Sequence, residues 1–185
     1  VFAPNRGQWP DAVRFGTIGG PVRAWFGANR VTLESPDRTG SVSLRFDRSD
    51  PARGMLGIEK APTYFNFLQS ADPKQWRSRV HGFRRLRYES VADGVDLEFS
   101  VDDRELRYDV LLTPPARPDA VRMTCENCSG LEIDGDGRRV MRIDGQASLV
   151  QSPPVAWQIG EDGTRLSIEC RFRLMGPATY GFDLP

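Results

Sequence analysis

Residues 94–115 read GVDLEFSVDDRELRYDVLLTPP, and this stretch decides the fold. Val95, Leu97 and Phe99 alternate with Asp96, Glu98 and Ser100. Leu106, Tyr108 and Val110 alternate with Glu105, Arg107 and Asp109. Alternation at period two marks strands with one buried and one wet face. Val101-Asp102-Asp103-Arg104 supplies a polar turn between the two runs. Thr113-Pro114-Pro115 ends the second, because proline has no N–H for a ladder. The stretch is therefore expected to form a β-hairpin.

Working outward, residues 13–17, 22–26, 30–34 and 41–47 read as strands, the second and third forming a hairpin around Gly27-Ala28-Asn29. Gly19-Gly20-Pro21 breaks the first from the second. Residues 48–60 are polar and glycine-bearing, so a surface loop is expected there. Residues 63–68 are apolar on both faces, which predicts a central strand. Asp72 can cap and Pro73 suits a first helical position, giving one short helical turn over 73–76. Residues 83–89 lead into the hairpin as a further strand.

Beyond the Pro114-Pro115 stop, strands are expected at 120–124, 131–133, 139–143, 146–151, 155–159, 165–174 and 180–184. Asp134-Gly135-Asp136-Gly137 joins two of them, since Asp-Gly pairs favour the positive φ of tight hairpin turns. Roughly a dozen or more short strands, with turn signals about every 8–12 residues and almost no helix, predict an all-β, antiparallel β-sandwich-like domain. One β domain over residues 1–185 is expected, or two tightly packed β sub-lobes with a break near 114–119. No repeat of fixed period appears, which argues against a propeller or solenoid within these residues.

The 185 residues can bury a core without disulfide scaffolding. Apolar residues make up 39% and charged residues 27%, the balance of an ordinary soluble domain. The 25 basic and 25 acidic residues cancel, which argues against a duplex-binding protein. No apolar run is long enough to predict a transmembrane helix. The chain opens at Val1 with neither an initiator Met nor a basic-then-apolar leader. It reads as a processed protein or a piece of something longer.

Cysteine is sparse. Cys125 and Cys128 form Cys-Glu-Asn-Cys, and Cys170 stands apart. A local disulfide, Cys125–Cys128, is the favoured reading for an exported protein. A zinc site lacks a fourth ligand beyond the single histidine, His81, and a thioredoxin-like motif needs a strand-to-helix setting. Cys170 falls in the stripe Leu166, Ile168, Cys170, Phe172, Leu174 and is expected as a buried core thiol.

Asp96, Glu98, Glu105 and Asp109 share one hairpin, and paired carboxylates, Asp96, Glu98 or Asp109 here, can run glycoside hydrolysis. Arg107 among them points instead to cross-strand ion pairing. The run Arg77, Arg79, Arg84, Arg85 and Arg87, with His81, is expected to be a neighbouring outer face balanced by those acids, with no nucleic acid partner. Asp134 and Asp136 are too few for calcium, so a hairpin turn is expected and no metal or cofactor. Of the four tryptophans, Trp25 and Trp76 are the candidates for an exposed sugar platform. There is no Ser/His/Asp set and no phosphate-cradling glycine loop.

Several tags in fixed order carry a resemblance. They are Asn5-Arg6-Gly7-Gln8 with Val13-Arg14-Phe15, Tyr64-Phe65-Asn66-Phe67-Leu68, Asp72-Pro73 with Trp76, and Arg87-Tyr88 before Gly94-Val95-Asp96-Leu97. Leu106-Arg107-Tyr108-Asp109-Val110, Asp119-Ala120-Val121-Arg122 and Pro154-Val155-Ala156-Trp157-Gln158 follow. Across nearly its whole length the chain resembles the domain of unknown function that precedes β-propeller repeats in bacterial SBBP-repeat proteins. It departs from that pattern at Arg107, where an acidic residue is usual, and at Pro115, where glycine is usual. The resemblance implies an exported bacterial protein, extracellular or at the cell surface, with a signal peptide upstream and repeats downstream as partners. It implies no established activity. The expected function is a non-catalytic extracellular module that caps or displays the repeats, or binds a glycan or surface protein. The alternative is a carbohydrate-active hydrolase.

Overall fold

The structure is a computed structural model. It describes residues 1–20, 22–35, 37–46, 54–68, 71–102, 105–143 and 148–184. The expectations for Pro21, Asp47, residues 48–53, Ser70, Asp103, Arg104 and Gln146 lie outside the described residues.

Among the described residues, seventeen strands follow one another with two 3-10 turns between them. The first five are β1 (Phe2–Pro4), β2 (Phe15–Thr17), β3 (Ala24–Phe26), β4 (Arg30–Glu34) and β5 (Ser41–Phe46). Next come the long strands β6 (Met55–Phe67) and β7 (Arg77–Ala92), then the hairpin β8 (Val95–Asp102) and β9 (Glu105–Leu112). The remainder are β10 (Met123–Glu126), β11 (Gly130–Ile133), β12 (Arg139–Arg142), β13 (Leu149–Gln151), β14 (Ala156–Ile159), β15 (Arg165–Ile168), β16 (Arg171–Leu174) and β17 (Thr179–Asp183). All pairings are antiparallel.

Twelve strands form one sheet in the order β16-β17-β10-β5-β4-β3-β2-β1-β7-β8-β9, with β6 on the other edge of β7. The sheet doubles over where β1 meets β7 through the single pair Phe2–Phe83. Phe26 of β3 meets Phe99 of β8 edge-on at 5.2 Å, and Phe46 of β5 meets Tyr88 of β7 at 5.1 Å. These contacts close two leaves over an apolar centre, giving an open, sandwich-like all-β architecture. Leu86, Val95, Leu97 and Phe99 supply the β7–β8 side; Phe2, Val31, Val42 and Leu44 supply the other. The small sheet β11-β12-β13 packs Leu131, Ile133, Met141 and Leu149 against the same core. β14 and β15 pair only with each other among the described residues.

The hairpin forms as the alternation predicts, with Val95, Leu97 and Phe99 buried. Glu98 departs from its wet face and is 7% exposed, because Arg85 and Arg87 from β7 close over it. Residues 55–60, expected in a loop, are strand. Met55, Leu56, Gly57 and Ile58 find ladder partners on Tyr88, Arg87, Leu86 and Arg85. Residues 63–67 lie not in a central strand but at an edge: β6 has β7 on one side only, and Tyr64 stays exposed. The expected strand 165–174 is two strands in different sheets, interrupted at Glu169-Cys170. That break dissolves the inward stripe. Phe172 is buried, Leu166 and Leu174 are exposed, and Cys170 is half-buried. The helical turn appears at Pro73–Gln75, with the Asp72 carboxylate accepting the Lys74 N–H at 2.9 Å. No described helix is long and apolar enough to cross a membrane.

Candidate functional site

The β6–β7 ribbon runs past the rest of the sheet, and its far end meets the loop that follows β1. Asn5 organises that loop. Its amide nitrogen donates to the carbonyls of Trp9, Pro10 and Val13, and its oxygen accepts the N–H groups of Gly7 and Trp9. The Gln8 side chain donates to the Pro4 carbonyl and accepts the Arg6 N–H. Gly7 takes φ of +100°, and a Cβ there would come within 2.8 Å of an Arg77 guanidinium nitrogen. Arg77, first residue of β7, donates to the carbonyls of Arg6, Lys74 and Trp76, binding the loop to the end of the ribbon.

Two irregularities aim the ribbon's side chains. β6 advances from Lys60 to Tyr64 while β7 advances only from Phe83 to His81, so β6 bulges. Glu59 ahead of the bulge has φ of 56°. A bulge twists a strand and redirects its side chains. Arg79 also sits in the left-handed region, at φ 57°, with its N–H held by the Asn66 side-chain oxygen at 3.0 Å.

The result is a cleft of about 470 Å³. Arg6, Lys60, Arg77 and Arg79 line it, with Trp76, Phe83 and His81. No carboxylate is among its lining residues, and none of these four cations is ion-paired to a described acid. The Nδ1 of His81 is shielded from solvent and makes no hydrogen bond; its ring meets Tyr64 edge-on at 6.1 Å. The basic run of β7 is thus divided. Arg85 and Arg87 are balanced by acids, as predicted, whereas Arg77 and Arg79 face the cleft. Loss of balancing charge with low-dielectric walls concentrates a positive potential there.

Trp76 is 42% exposed and edges the cleft. Trp25 is instead taken into packing: its Nε1 donates to Glu34 at 2.8 Å, Trp9 meets it edge-on at 5.2 Å, and its ring covers Gly16. Trp157, not singled out by the sequence, is 43% exposed on β14, with the Arg165 guanidinium 5.1 Å from its ring centre.

The hairpin acids lie elsewhere. Glu98 accepts from Arg85 at 2.6 Å and from Arg87 at 2.6 and 3.0 Å. Burial opposes its charge, but the hydrogen bonds from Arg87 and Arg85 outweigh it and hold the carboxyl below the ordinary glutamate range. Asp109 stands opposite Glu98 in the ladder. Burial first, then the Glu98 charge, push its carboxyl up, with Arg107 partly opposing. Asp96 accepts the Ser90 N–H at 2.7 Å. None of the three lines the cleft. Asp134 accepts the N–H groups of Asp136 and Arg138 and pairs with the Arg138 guanidinium, so it closes the predicted turn.

Cys125 and Cys128 are not bridged: both are thiols, as is Cys170. Cys128 Sγ lies 3.6 Å from the Cys125 carbonyl.

Fold and cleft together define an open antiparallel β-sandwich protein with a basic, aromatic-edged cleft at one end. The chain belongs to the DUF7948 family, a domain of unknown function, whose profile matches residues 2–185. No curated protein and no solved structure matches it.

Proposed function

We propose that this protein is a non-catalytic extracellular binding module that takes an acidic surface glycan in the cleft. The observation that carries the reading is the company the cleft keeps. Arg6, Lys60, Arg77 and Arg79 surround it, no acid among the described residues does, and the exposed Trp76 stands at its margin. An aromatic face stacks on the C–H groups of a sugar ring, and a guanidinium fork matches a carboxylate or sulfate. The volume lies within the range usual for ligand sites. The setting that fits is an exported bacterial protein whose SBBP β-propeller repeats lie downstream, with this module displaying or capping them. A hydrolase built on Asp96, Glu98 and Asp109 has less in its favour, since two arginines occupy both oxygens of Glu98.

Calorimetric titration with polygalacturonate, and with dextran as the neutral reference, tests this. The acidic polymer is expected to bind at low salt and to weaken as salt rises, while dextran stays silent. Equal binding of both polymers, or none of either, overturns the proposal. An acidic surface protein that binds where the polysaccharide does not would redirect the reading to a protein ligand.

A further inference from the structure

The hairpin of β14 and β15 stands apart from the core. Its strands pair only with each other among the described residues, and no side chain of either belongs to the apolar centre. Its surface is nonetheless apolar. Val155, just ahead of β14, is 77% exposed, Ile159 61%, Leu166 48% and Trp157 43%. A two-stranded ribbon is marginal in water and gains from further strands. Exposed apolar residues gathered in this way mark an interaction site.

The backbone shows which groups lie open. The Gly160 N–H donates to the Thr164 carbonyl at 2.8 Å, so Gly160 faces β15. Facing alternates along an antiparallel strand. Gln158 and Ala156 therefore also turn their N–H and C=O groups to β15, while Ile159 and Trp157 turn theirs to the free edge. Trp157 and Ile159 also share one face of the ribbon, opposite Ser167 and Arg165 in the ladder. The backbone groups ready to take a new strand and the exposed apolar side chains thus belong to the same residues.

Charge selects the occupant. Among the described residues, the free edge of β6 is guarded by Lys60 and Pro62, and that of β9 by Glu105 and Arg107. On β16, a two-fold about Phe172 would set Arg171 against Arg173. β11 carries Glu132 and β15 carries Arg165, and β13 is uncharged but only three residues long. β14, Ala-Trp-Gln-Ile, has no charge. Turned about a two-fold at Trp157, it matches itself. Trp157 meets Trp157 of the second copy, and Val155 meets Ile159. The pairs that would exchange hydrogen bonds are all apolar, and no like charges meet.

We propose that two copies of this chain join edge to edge through β14, antiparallel about Trp157, forming one four-stranded sheet in the order β15-β14-β14-β15. The interface is isologous, with the same strand given by both copies. Each copy's β14 edge is then covered, so association stops at two. A contact of this size belongs to the weak, transient class.

Sedimentation velocity on the whole chain, from about 1 μM to about 1 mM, tests this. The wild type is expected to pass from one chain mass to twice that mass as concentration rises. Trp157→Lys and Trp157→Glu each set like charges opposite one another and should stay monomeric throughout. Mixed in equal amounts, the two should associate about ten-fold more tightly than either does alone, because the two-fold now pairs Lys with Glu. Recovery in the mixture shows that neither variant has lost its fold, and the wild-type measurement needs no variant. A wild type that stays monomeric throughout overturns the proposal. So does a Trp157→Lys that dimerises as the wild type does, or a mixture no tighter than its components.

Discussion

The hydroxyl of Tyr88 lies 2.9 Å from the Gly27 carbonyl and 3.1 Å from that of Arg30, joining the β7 leaf to the β3–β4 turn at the centre of the core. The bond to Gly27 is buried, so solvent does not replace it. Tyr88→Phe keeps the ring contacts with Phe26, Phe46 and Phe99 but leaves the Gly27 carbonyl short of a donor, while the Arg30 carbonyl still accepts the Gly27 N–H. The variant is expected to unfold at lower urea concentration, by about 1–3 kcal/mol.

The same hydroxyl sets an alkaline limit. Burial holds its ionisation well above the ordinary phenol range, with Arg14 opposing. The folded state thus keeps a proton that the unfolded chain gives up. This contribution is full below the unfolded value of about 10 and is lost as pH rises beyond it. Stability measured from pH 9 to 11 should fall more steeply in the wild type than in Tyr88→Phe.

Glu98 sets the acid side. Its carboxyl is held below the ordinary value of 4.5, so its stabilisation is present above 4.5 and is lost as pH falls through the folded value. Arg85 and Arg87 are each about one-third exposed, at 36% and 32%, so solvent screens the pair. Glu98→Gln is expected to cost about 1 kcal/mol at pH 7 and to flatten the acid limb of the stability curve. Urea melts from pH 7 to 3 would show it; an unchanged acid limb would reject the role.

Gly7→Ala is expected to destabilise by about 1–2 kcal/mol, because an L-residue is strained at φ of +100° and its Cβ must displace the Arg77 guanidinium. Gly135→Ala meets nothing within 4 Å and serves as the comparison. Thermal melts should separate the two, and the first variant should also bind polygalacturonate less well.

Trp76→Ala alters an exposed ring, so its melting temperature should match the wild type. Affinity for the acidic polymer should drop about ten-fold, the loss of one good ring contact. Unaltered affinity would move the binding surface away from the cleft.

The hairpin at 94–115 was legible because half of its residues are wet and half are not. Glu98 was not, since its burial depends on two arginines contributed by another strand. Residues 55–60 show no clean alternation; they are extended because β7 is long enough to offer them partners. Trp76 and the arginines of β7 could be picked out by type. That Arg6 joins them, through an Arg77 bond spanning 71 residues, follows from the fold alone. Arg139 carries no sequence sign that it faces inward onto Tyr180.

Among the described residues the doubled sheet does not close on itself, and β9 and β16 are the outer rails of its main strand order, with β6 a further edge beside β7. A second molecule docking head-to-foot along β9 about Arg107 would set Arg107 against Arg107 and Glu105 against Asp109. Every such match is like against like. The rim that could zip one molecule to the next thus repels its own copy, which should keep concentrated solutions dispersed.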